Sequence, residues 1–431
     1  MRVLVVGGGG REHALLWALR RDAPDGTFFC LPGNAGTAKL ATNIPGSVTD
    51  IEAVAAAAKE RRADLVVVGP EAPLAAGLAD RLARDGIPVF GPSAAAARIE
   101  ASKVWAKDLM RKAGVPTARS ESFTDISRAT KYIGSHAEPL VVKASGLAAG
   151  KGAVVCATRD EARDAATAML SEGALGQAGS EILVEEFLSG EELSVLAITD
   201  GQHFAVLPPA QDHKRLGDGD SGPNTGGMGA YCPVSIATSE LLDRTAKEVF
   251  QPVLKAMADA GAPYKGILYA GLMIREHDGA PQVIEFNCRF GDPEAQAILG
   301  ATPAGLLPVL RMVAEGGWMP DGLRLGETRR AAVTTVLAAE GYPQSPKAGA
   351  EIRIPRGLDS ATDVLVFHAG TTQDADGRLR VSGGRVLSVT AVGADVQAAA
   401  ARSREAAEAI DFEGKQYRRD IGWREIARSR G

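Results

Sequence analysis

Short apolar runs alternate with helical patterns over the first hundred residues of the chain. The runs Val3–Val6, Thr27–Leu31, Leu65–Val68 and Pro88–Phe90 predict strands, and the segments between them predict helices. This alternation is typical of a parallel sheet with crossover helices, so we expect an α/β fold here. Ligands of parallel sheets bind at the carboxyl ends of the strands, and the turns at those ends are the first candidates for a site.

Three glycine-rich turns follow these strands, at residues 7–10, 32–37 and 69–71. The first turn does not fit a dinucleotide-binding fingerprint. Its third glycine position is Glu12 when counted from Gly7, and His13 when counted from Gly8. Four glycines before a helix still expose backbone N–H groups to an anion, which favours a phosphate-binding turn over a purely structural one. Glu71 is placed either to bind sugar hydroxyls or to cap a helix.

A second glycine-rich segment follows an apolar strand that ends in Lys143. It contains Gly146, Gly150, Lys151 and Gly152. It is not a P-loop, because three residues separate Gly146 from Gly150 and Gly152 stands where a Ser or Thr is required. We interpret it as a flap over phosphates, with Lys143 supplying fixed positive charge; the alternative is a solvated hairpin.

The next segments carry acidic and polar groups. A strand at 181–188 leads through a short linker to Glu192, which predicts backbone contacts to an adenine edge and a carboxylate near ribose hydroxyls. Asp212, Lys214 and Arg215 resemble substrate-binding groups. They precede a long glycine-rich loop, 217–229, and loops of that length are usually functional or disordered.

The strongest candidate for a metal site is the stretch from Val283 to Glu294. An apolar strand leads into Glu285 and Asn287, whose side chains point to the same face because strand residues alternate. A carboxylate and an amide oxygen suit Mg²⁺, which usually shares its ligands with nucleotide phosphates. Arg289 can bind a phosphate or carboxylate. The structural alternative is a simple pair between Glu285 and Arg289.

Composition narrows the class of protein. The chain has 431 residues, 45% of them hydrophobic and 23% charged, which indicates a soluble globular protein of two to four domains. The net charge of −5 and the absence of a basic run give no support for nucleic-acid binding. Four scattered cysteines fit a reducing cytoplasm. No apolar window is long enough for a membrane span, and the N-terminus reads as a strand.

Together these segments resemble glycinamide ribonucleotide synthetases of the ATP-grasp superfamily over nearly the whole chain. The matching blocks lie at 9–13, 32–37, 68–74, 146–152, 211–215, 222–231 and 285–294. Two positions depart from the pattern. Ser145 stands where many relatives carry Asp, and Leu272 stands where the wider superfamily often has an acidic metal ligand.

The resemblance implies an architecture of three parts. We expect an N-terminal Rossmann-like domain (1–101) that binds phosphoribosylamine, followed by an ATP-grasp domain (102–319) whose small lid subdomain spans about 120–190. A C-terminal mixed α+β domain (320–431) would pack against the substrate side. Its predicted strands are Ala331–Ala338, Val364–His368 and Arg385–Val392, with a terminal helix at Ala398–Ile410.

The resemblance also implies roles for individual residues. Lys143, Arg289 and Asp212 would be catalytic, with Glu285 and Asn287 as metal ligands. The nucleotide would bind the following residues: Lys103, Lys143, Gly146, Gly150, Lys151, Gly152, Glu185, Glu186, Phe187, Leu188 and Glu192. The sugar phosphate and glycine would bind another set: Gly8, Gly9, Gly10, Asn34, Gly36, Thr37, Glu71, Asp212, Lys214 and Arg289.

The reaction implied is the ligation of glycine to 5-phosphoribosylamine through glycyl phosphate, giving glycinamide ribonucleotide, ADP and phosphate in purine biosynthesis. The expected cofactors are ATP with Mg²⁺ or Mn²⁺. The expected partners are the small substrates and transient contacts with neighbouring purine-pathway enzymes, without nucleic acid or membrane.

Three other functions remain as alternatives. Another ATP-grasp ligase or carboxylase would share the flap and metal strand but lack the blocks at 211–215 and 222–229. A nicotinamide-dependent oxidoreductase is disfavoured by the broken fingerprint. A nucleotide sensor without turnover is disfavoured by the complete set of phosphoryl-transfer groups.

Overall fold

The structure is a computed structural model. It describes residues 1–148, 152–320, 323, 325, 328, 330–358 and 361–430. Three residues of the predicted flap, Ala149, Gly150 and Lys151, lie outside the described residues.

The strands are numbered in chain order. They are β1 Arg2–Gly7, β2 Thr27–Pro32, β3 Thr42–Asn43, β4 Leu65–Val68, β5 Val89–Phe90, β6 Ser120–Phe123, β7 Leu140–Ala144, β8 Ala153–Cys156, β9 Ile182–Glu186, β10 Glu191–Thr199, β11 Phe204–Val206, β12 Gln211–Asp212, β13 Arg215–Gly217, β14 Ser221–Asn224, β15 Gly229–Cys232, β16 Gly266–Ile274, β17 Pro281–Asn287, β18 Ala331–Ala338, β19 Val364–His368, β20 Thr371–Gln373, β21 Leu379–Val381 and β22 Arg385–Gly393.

The helices are numbered likewise. They are α1 Gly10–Asp22, α2 Ile51–Glu60, α3 Glu71–Ala75, α4 Leu78–Arg84, α5 Ala94–Ala101, α6 Lys103–Ala113, α7 Ile126–Gly134, α8 Arg159–Leu170, α9 Ser239–Thr245, α10 Gln251–Asp259, α11 Glu294–Ala301, α12 Leu306–Ala314, α13 Val396–Ala409 and α14 Trp423–Arg428.

The N-terminal sheet is parallel, as predicted. Its strand order is β3-β2-β1-β4-β5, so the order reverses direction at β1 and β4. The four predicted strands are present. The two-residue strand β3 is an additional edge strand, which the sequence does not predict because it contains no apolar run. The three glycine-rich turns therefore meet at one edge, beside the crevice where such sheets bind ligands.

Two antiparallel sheets follow. The order β6-β9-β7-β8 forms a small unit with its own core, which includes Phe123, Ile133, Leu140, Val142 and Met169. The order β11-β10-β16-β17 forms the second sheet. The small unit matches the expected position of a lid, and β17 is the predicted metal strand.

A further antiparallel sheet combines strands from both sides of residue 320. Its order is β12-β15-β18-β22-β19, so β12 and β15 pair with strands from the end of the chain. The three predicted C-terminal strands are all present. The predicted terminal helix is α13, but the short helix α14 follows it.

The glycine-rich loop expected at 217–229 is ordered by the C-terminal segment. β13 and β14 form a hairpin within it. Arg418 is fully buried, and its guanidinium lies 2.7 Å from a carboxylate oxygen of Asp220 and 2.7 Å from one of Asp420. The hairpin is thereby fixed to the end of the chain by paired charges.

Among the described residues, a search for membrane-crossing helices finds no single helix that is long and apolar enough. By length and composition alone, α11 and α12 together are long and apolar enough, as a pair bent by 119°.

Arg418 provides a test of this anchor. We expect Arg418→Met to lower the free energy of unfolding by about 3 kcal/mol, because it leaves Asp220 and Asp420 without their buried partner. Chemical denaturation measures the change. The control is Arg378→Met, since Arg378 is exposed and its guanidinium lies 4.0 Å from Asp376; equal losses in the two variants would contradict the anchor.

Candidate active site

One cavity of about 500 Å³ lies between two sheets and the C-terminal strands. The sheets are β6-β9-β7-β8, the predicted lid sheet, and β11-β10-β16-β17, which contains the predicted metal strand. Most of the predicted site residues line this cavity. They are Glu71, Lys103, Lys143, Gly152, Glu185, Glu186, Phe187, Leu188, Glu192, Asp212, Lys214, Glu285, Asn287 and Arg289. The cavity therefore joins the predicted nucleotide and substrate groups in a single space.

A bulge in β17 directs the side chains of the predicted metal ligands, Glu285 and Asn287, into this cavity. Leu272 pairs with Val283 and Gly271 pairs with Glu285, so Ile284 is the extra residue. A bulge re-aims the side chains that follow it. Val283 is thus fully buried in the core, while Glu285 and Asn287 line the cavity together.

Positive charges surround Glu285. Burial acts to raise the pKa of this carboxyl, but Lys214, Lys143, Lys103 and Arg289 hold the pKa below its usual value. Glu285 is therefore an ionised oxygen donor. The alternative interpretation, a simple pair between Glu285 and Arg289, does not apply, because Arg289 contacts Glu71 and Glu100 instead.

The end of the cavity lined by the predicted nucleotide-binding residues is called the nucleotide end, and there the Glu185 carboxylate lies between two lysines. Lys143 Nζ lies 2.8 Å from Glu185 Oε2 and donates to the carbonyl oxygen of Ile284 at 3.0 Å. Lys103 donates to the carbonyl oxygen of Gly146 at 3.2 Å. Glu185 was predicted to bind the nucleotide, and its side chain is a buried counter-ion of Lys143.

The outer part of this end is more open. Glu186, Phe187 and Leu188 line it, and the Phe187 ring is 42% exposed. Glu192 accepts a hydrogen bond from Lys214, whose side chain reaches the same wall. The predicted ribose contact at Glu192 would have to share that carboxylate with Lys214.

Asp212 lies in the middle of the cavity among other acids. Burial raises the pKa of Asp212 to about 7; Lys214 opposes the rise, and Glu294 and Glu192 add to it. Glu294 Oε1 accepts hydrogen bonds from Tyr269 Oη at 2.5 Å and from Ser194 Oγ at 3.2 Å. This part of the cavity is suited to a cationic group.

Arg289 holds the opposite end. Its guanidinium lies 3.4 Å from Glu71 and 3.1 Å from Glu100. Burial acts to lower the pKa of Arg289, but Glu100 and Glu71 hold it above its usual value. Glu71 is the first residue of α3 and lines the cavity, but no side chain among the described residues caps this helix. The contact of Glu71 with sugar hydroxyls stays a prediction.

The C-terminal strand β22 adds a group that sequence reasoning missed. Arg385 begins this strand and lines the cavity. Its guanidinium donates to the carbonyl oxygen of Asp292 at 2.7 Å and lies 3.0 Å from the Asp292 carboxylate. It also donates to the carbonyl oxygen of Gly226, which fixes the glycine-rich segment against the site.

The turn after β1 is occupied by the protein's own carboxylate. Glu12 Oε2 accepts from the backbone N–H of Gly9 at 2.6 Å, and Arg11 Nε lies 2.6 Å from Glu12 Oε1. A Cβ on Gly7 or Gly69 would lie 2.4 Å or 2.0 Å from the Glu12 side chain. Glu12 therefore fills the crevice, which explains the broken fingerprint, and the Gly9 amide already has an acceptor within the protein.

The turn after β2 is a brace between the two ends of the chain. The Asn34 amide donates to the carbonyl oxygens of Gly8 at 2.9 Å and His368 at 2.7 Å, and its oxygen accepts from the N–H groups of Gly36 and Thr37. Thr37 is fully buried. The side chains of Asn34 and Thr37 thus bind protein groups, and their expected substrate role stays a prediction.

The remaining glycines of these turns pack against protein atoms. A Cβ on Gly36 would lie 2.4 Å from His13 Cε1, and one on Gly10 would lie 2.7 Å from Gln296 Nε2. His13 accepts from the backbone N–H of His368 at 2.8 Å, and burial lowers the pKa of His13 to about 3. Among the described candidates, Gly8, Gly9, Gly10, Asn34, Gly36, Thr37 and Gly146 are outside the cavity lining.

The two departures from the expected pattern have structural explanations. The Ser145 hydroxyl accepts from the backbone N–H of Val104 at 3.4 Å, so it touches the start of α6. Leu272 is fully buried in the core and faces away from Glu285, so it is not a ligand. No cluster of three or more His, Cys, Asp or Glu side chains able to hold a metal occurs in the described part of the chain.

Comparison with known families identifies the group to which the chain belongs. Three domain models of phosphoribosylglycinamide synthetase match: the N domain at 1–100, the ATP-grasp (A) domain at 101–295 and the C domain at 332–424. The chain belongs to the phosphoribosylglycinamide synthetase family. The resemblance of the seven sequence blocks is confirmed, and so is the fold of Rossmann-like, ATP-grasp and C-terminal parts.

Individual members of the phosphoribosylglycinamide synthetase family are similar over their whole length. A phosphoribosylamine–glycine ligase from Brucella melitensis is 49% identical over 430 residues, which cover 100% of this chain and 99% of that protein. The crystal structure of phosphoribosylamine–glycine ligase from Thermotoga maritima has a TM-score of 0.85 and 36% identity, covering 98% of this chain and 100% of that one.

The wider fold is shared with biotin carboxylases. The biotin carboxylase domain of 2-oxoglutarate carboxylase from Hydrogenobacter thermophilus has a TM-score of 0.73 at 16% identity, covering 96% of this chain and 91% of that one. At that identity the likeness concerns the fold alone.

The titration of Asp212 is testable in metal-free protein. Its folded pKa of about 7 lies above the ordinary value, so this group's contribution to stability is lost as pH rises from about 4 through 7. We therefore expect Asp212→Asn to be more stable than the unaltered protein at pH 8, by the order of 1 kcal/mol or more, with a smaller difference at pH 5.

Thermal and denaturant unfolding at both pH values measure this difference. Asp243→Asn is the control, because Asp243 is exposed. An Asp212→Asn variant that follows the unaltered protein at both pH values would contradict the raised pKa of this carboxyl.

Proposed function

We propose that the chain ligates glycine to 5-phosphoribosylamine at the expense of ATP, giving glycinamide ribonucleotide, ADP and phosphate in purine biosynthesis. The observation that carries this proposal is the single cavity in which Lys143, Glu285 and Asn287 face Arg289 and Glu71. Family membership and the full-length similarity to named ligases support it.

The nucleotide end fits phosphoryl transfer. Glycine's carboxylate is a poor acyl donor, so we infer that it first takes the γ-phosphoryl group to form glycyl phosphate. This step needs positioning and neutralisation of negative charge more than covalent help from the protein. Lys143 and Lys103 supply fixed positive charge at this end. We retain Gly146, Gly150, Lys151 and Gly152 as the proposed flap over the phosphates.

The donor set at β17 fits a divalent cation. Glu285 is ionised, and the Asn287 amide lies beside it. The two residues would hold Mg²⁺ or Mn²⁺ together with phosphate oxygens, since hard cations take oxygen ligands and share them with nucleotides. A bound cation would neutralise charge that develops on the transferred group.

The other end of the cavity is proposed for the second substrate. Glu71 is placed for sugar hydroxyls, and Arg11, Arg289 and Arg385 supply positive charge for the 5′-phosphate. The ribosylamine nitrogen would then attack the acyl carbon of glycyl phosphate and release phosphate. Asp212 lies between the two ends, which suits it to an ammonium or a metal. Because acyl phosphates hydrolyse readily, the lid sheet would protect this step by excluding water.

We also propose a cytoplasmic location and transient contacts with neighbouring purine-pathway enzymes. The four cysteines are free thiols and all are buried, as expected in a reducing compartment.

Phosphate release tests the function directly. With ATP, Mg²⁺, glycine and freshly generated phosphoribosylamine, we expect release only when every component is present, together with an amide product. Turnover without phosphoribosylamine, or with another acid in place of glycine, would contradict the substrate assignment and keep an ATP-grasp activity.

Glu285→Gln tests the proposed metal pair. We expect kcat to fall by at least ~100-fold, because an oriented charge in the reacting site is lost, and the requirement for Mg²⁺ to rise. The matched control is Glu276→Gln, an exposed residue just after β16. A Glu285→Gln enzyme with an unchanged Mg²⁺ requirement would exclude Glu285 as a ligand.

A further inference from the structure

A buried lysine lies behind the nucleotide end of the cavity. Lys107 follows Lys103 by one turn of α6, so the two side chains share a helix face. Lys103 lines the cavity, whereas the Lys107 side chain is outside the lining and is only 4% exposed. Burying a charge is costly unless it is paired, so its contacts indicate its role.

The Lys107 ammonium donates two hydrogen bonds and forms an ion pair with Glu185. Its Nζ lies 3.1 Å from Glu185 Oε1, and it donates to Thr117 Oγ1 at 2.6 Å and to the carbonyl oxygen of Ala118 at 3.3 Å. An ammonium group has three donors. The surroundings are therefore built for a charged lysine in one orientation.

Glu185 is shared between two lysines. One carboxylate oxygen faces Lys107, and the other lies 2.8 Å from Lys143 Nζ. The Glu185 side chain is 3% exposed, so water screens these charges little. The three groups together carry one positive charge, whereas Glu185 and Lys143 alone would carry none.

The same lysine connects the lid to the proposed metal strand. Thr117, which accepts from Lys107, donates to the carbonyl oxygen of Val283 at 2.6 Å. Lys143 donates to the next carbonyl oxygen, that of Ile284. The lid strands β7 and β9 are thus tied to β17 through a continuous set of polar contacts.

We propose that Lys107 is a positioning residue for nucleotide binding, which holds Glu185 in place and offsets its charge so that Lys143 presents net positive charge to the phosphates. Burial lowers the pKa of Lys107 to about 8, with Glu185 opposing the shift, so the side chain is charged at neutral pH. The inference depends on the nucleotide site proposed above.

Isothermal titration with MgATP, in the absence of the other substrates, tests the role. We expect Lys107→Met to bind MgATP about tenfold more weakly than the unaltered protein, which corresponds to about 1.4 kcal/mol. Glu185 would then neutralise Lys143 fully. A thermal melt establishes that the variant is folded. An unchanged affinity for MgATP would overturn the proposal.

A double variant, in which Glu185 is changed as well, separates the effect of charge from the effect of packing. In Lys107→Met/Glu185→Gln, Lys143 again has no counter-ion, so we expect an affinity within about threefold of that of Glu185→Gln alone. A lysine that merely supports the fold would weaken binding in both backgrounds. A tenfold loss on adding Lys107→Met to Glu185→Gln would overturn the proposal, and this comparison holds if the single Lys107 variant does not fold.

The binding measurement also separates this inference from the proposed reaction. Binding of MgATP by the unaltered protein without turnover in the phosphate assay would contradict the ligase and leave the role of Lys107 intact. Failure of the unaltered protein to bind MgATP would contradict both.

Discussion

The pairing of β15 with β18 is the constraint on which the cavity depends. It places residues 229–232 against strands from the end of the chain, with Gly229 opposite Thr335. A Cβ on Gly229 would lie 2.6 Å from the Thr334 carbonyl oxygen and 2.5 Å from Ile421 Cδ1, so only glycine fits. Through this contact Asp212 and Arg385, which are distant in sequence, line the same space.

Within that space the charges are matched before any ligand arrives. Lys143 faces Glu185, Lys214 faces Glu192, Arg289 faces Glu71 and Glu100, and Arg385 faces Asp292. Fixed partners keep the cationic groups in place, which reduces the reorganisation needed when an anion binds. They also lower the net charge that an anion meets. The selectivity of the cavity for one anion over another then depends on how strongly each cationic side chain is held by its acidic partner.

Local patterns predicted the strands and much of the site, because alternation and glycine-rich turns are short-range signals. The pair Glu285 and Asn287, which lines the cavity, was recognisable from three alternating polar positions, 285, 287 and 289, after an apolar strand. The bulge at Ile284 was not, since Val283 and Glu285 have the spacing of a regular strand. Arg385 and Lys107 gave no signal either. Their roles arise from the charged partners Asp292 and Glu185, each more than seventy residues away, and no periodicity records such contacts.

The N-terminal turns at 7–10 and 32–37 lie outside the cavity lining for a related reason, and their substrate role stays a prediction. A glycine-rich turn before a helix indicates an exposed anion site only if nothing in the protein fills it. Asn34 has a side chain that forms four hydrogen bonds within the protein. Such saturation depends on His368, which belongs to the other end of the chain.

The filled crevice beside β1 has a consequence for the history of the sequence. Gly7, Glu12 and Gly69 fit together so closely that each restricts the others. A larger residue at either glycine requires a smaller one at position 12, and a glycine at position 12 would leave a hollow and an unsatisfied amide at Gly9. The three positions should therefore vary together among relatives. If these positions changed one at a time, the intermediate sequence would have had either a steric clash or an unfilled crevice beside β1.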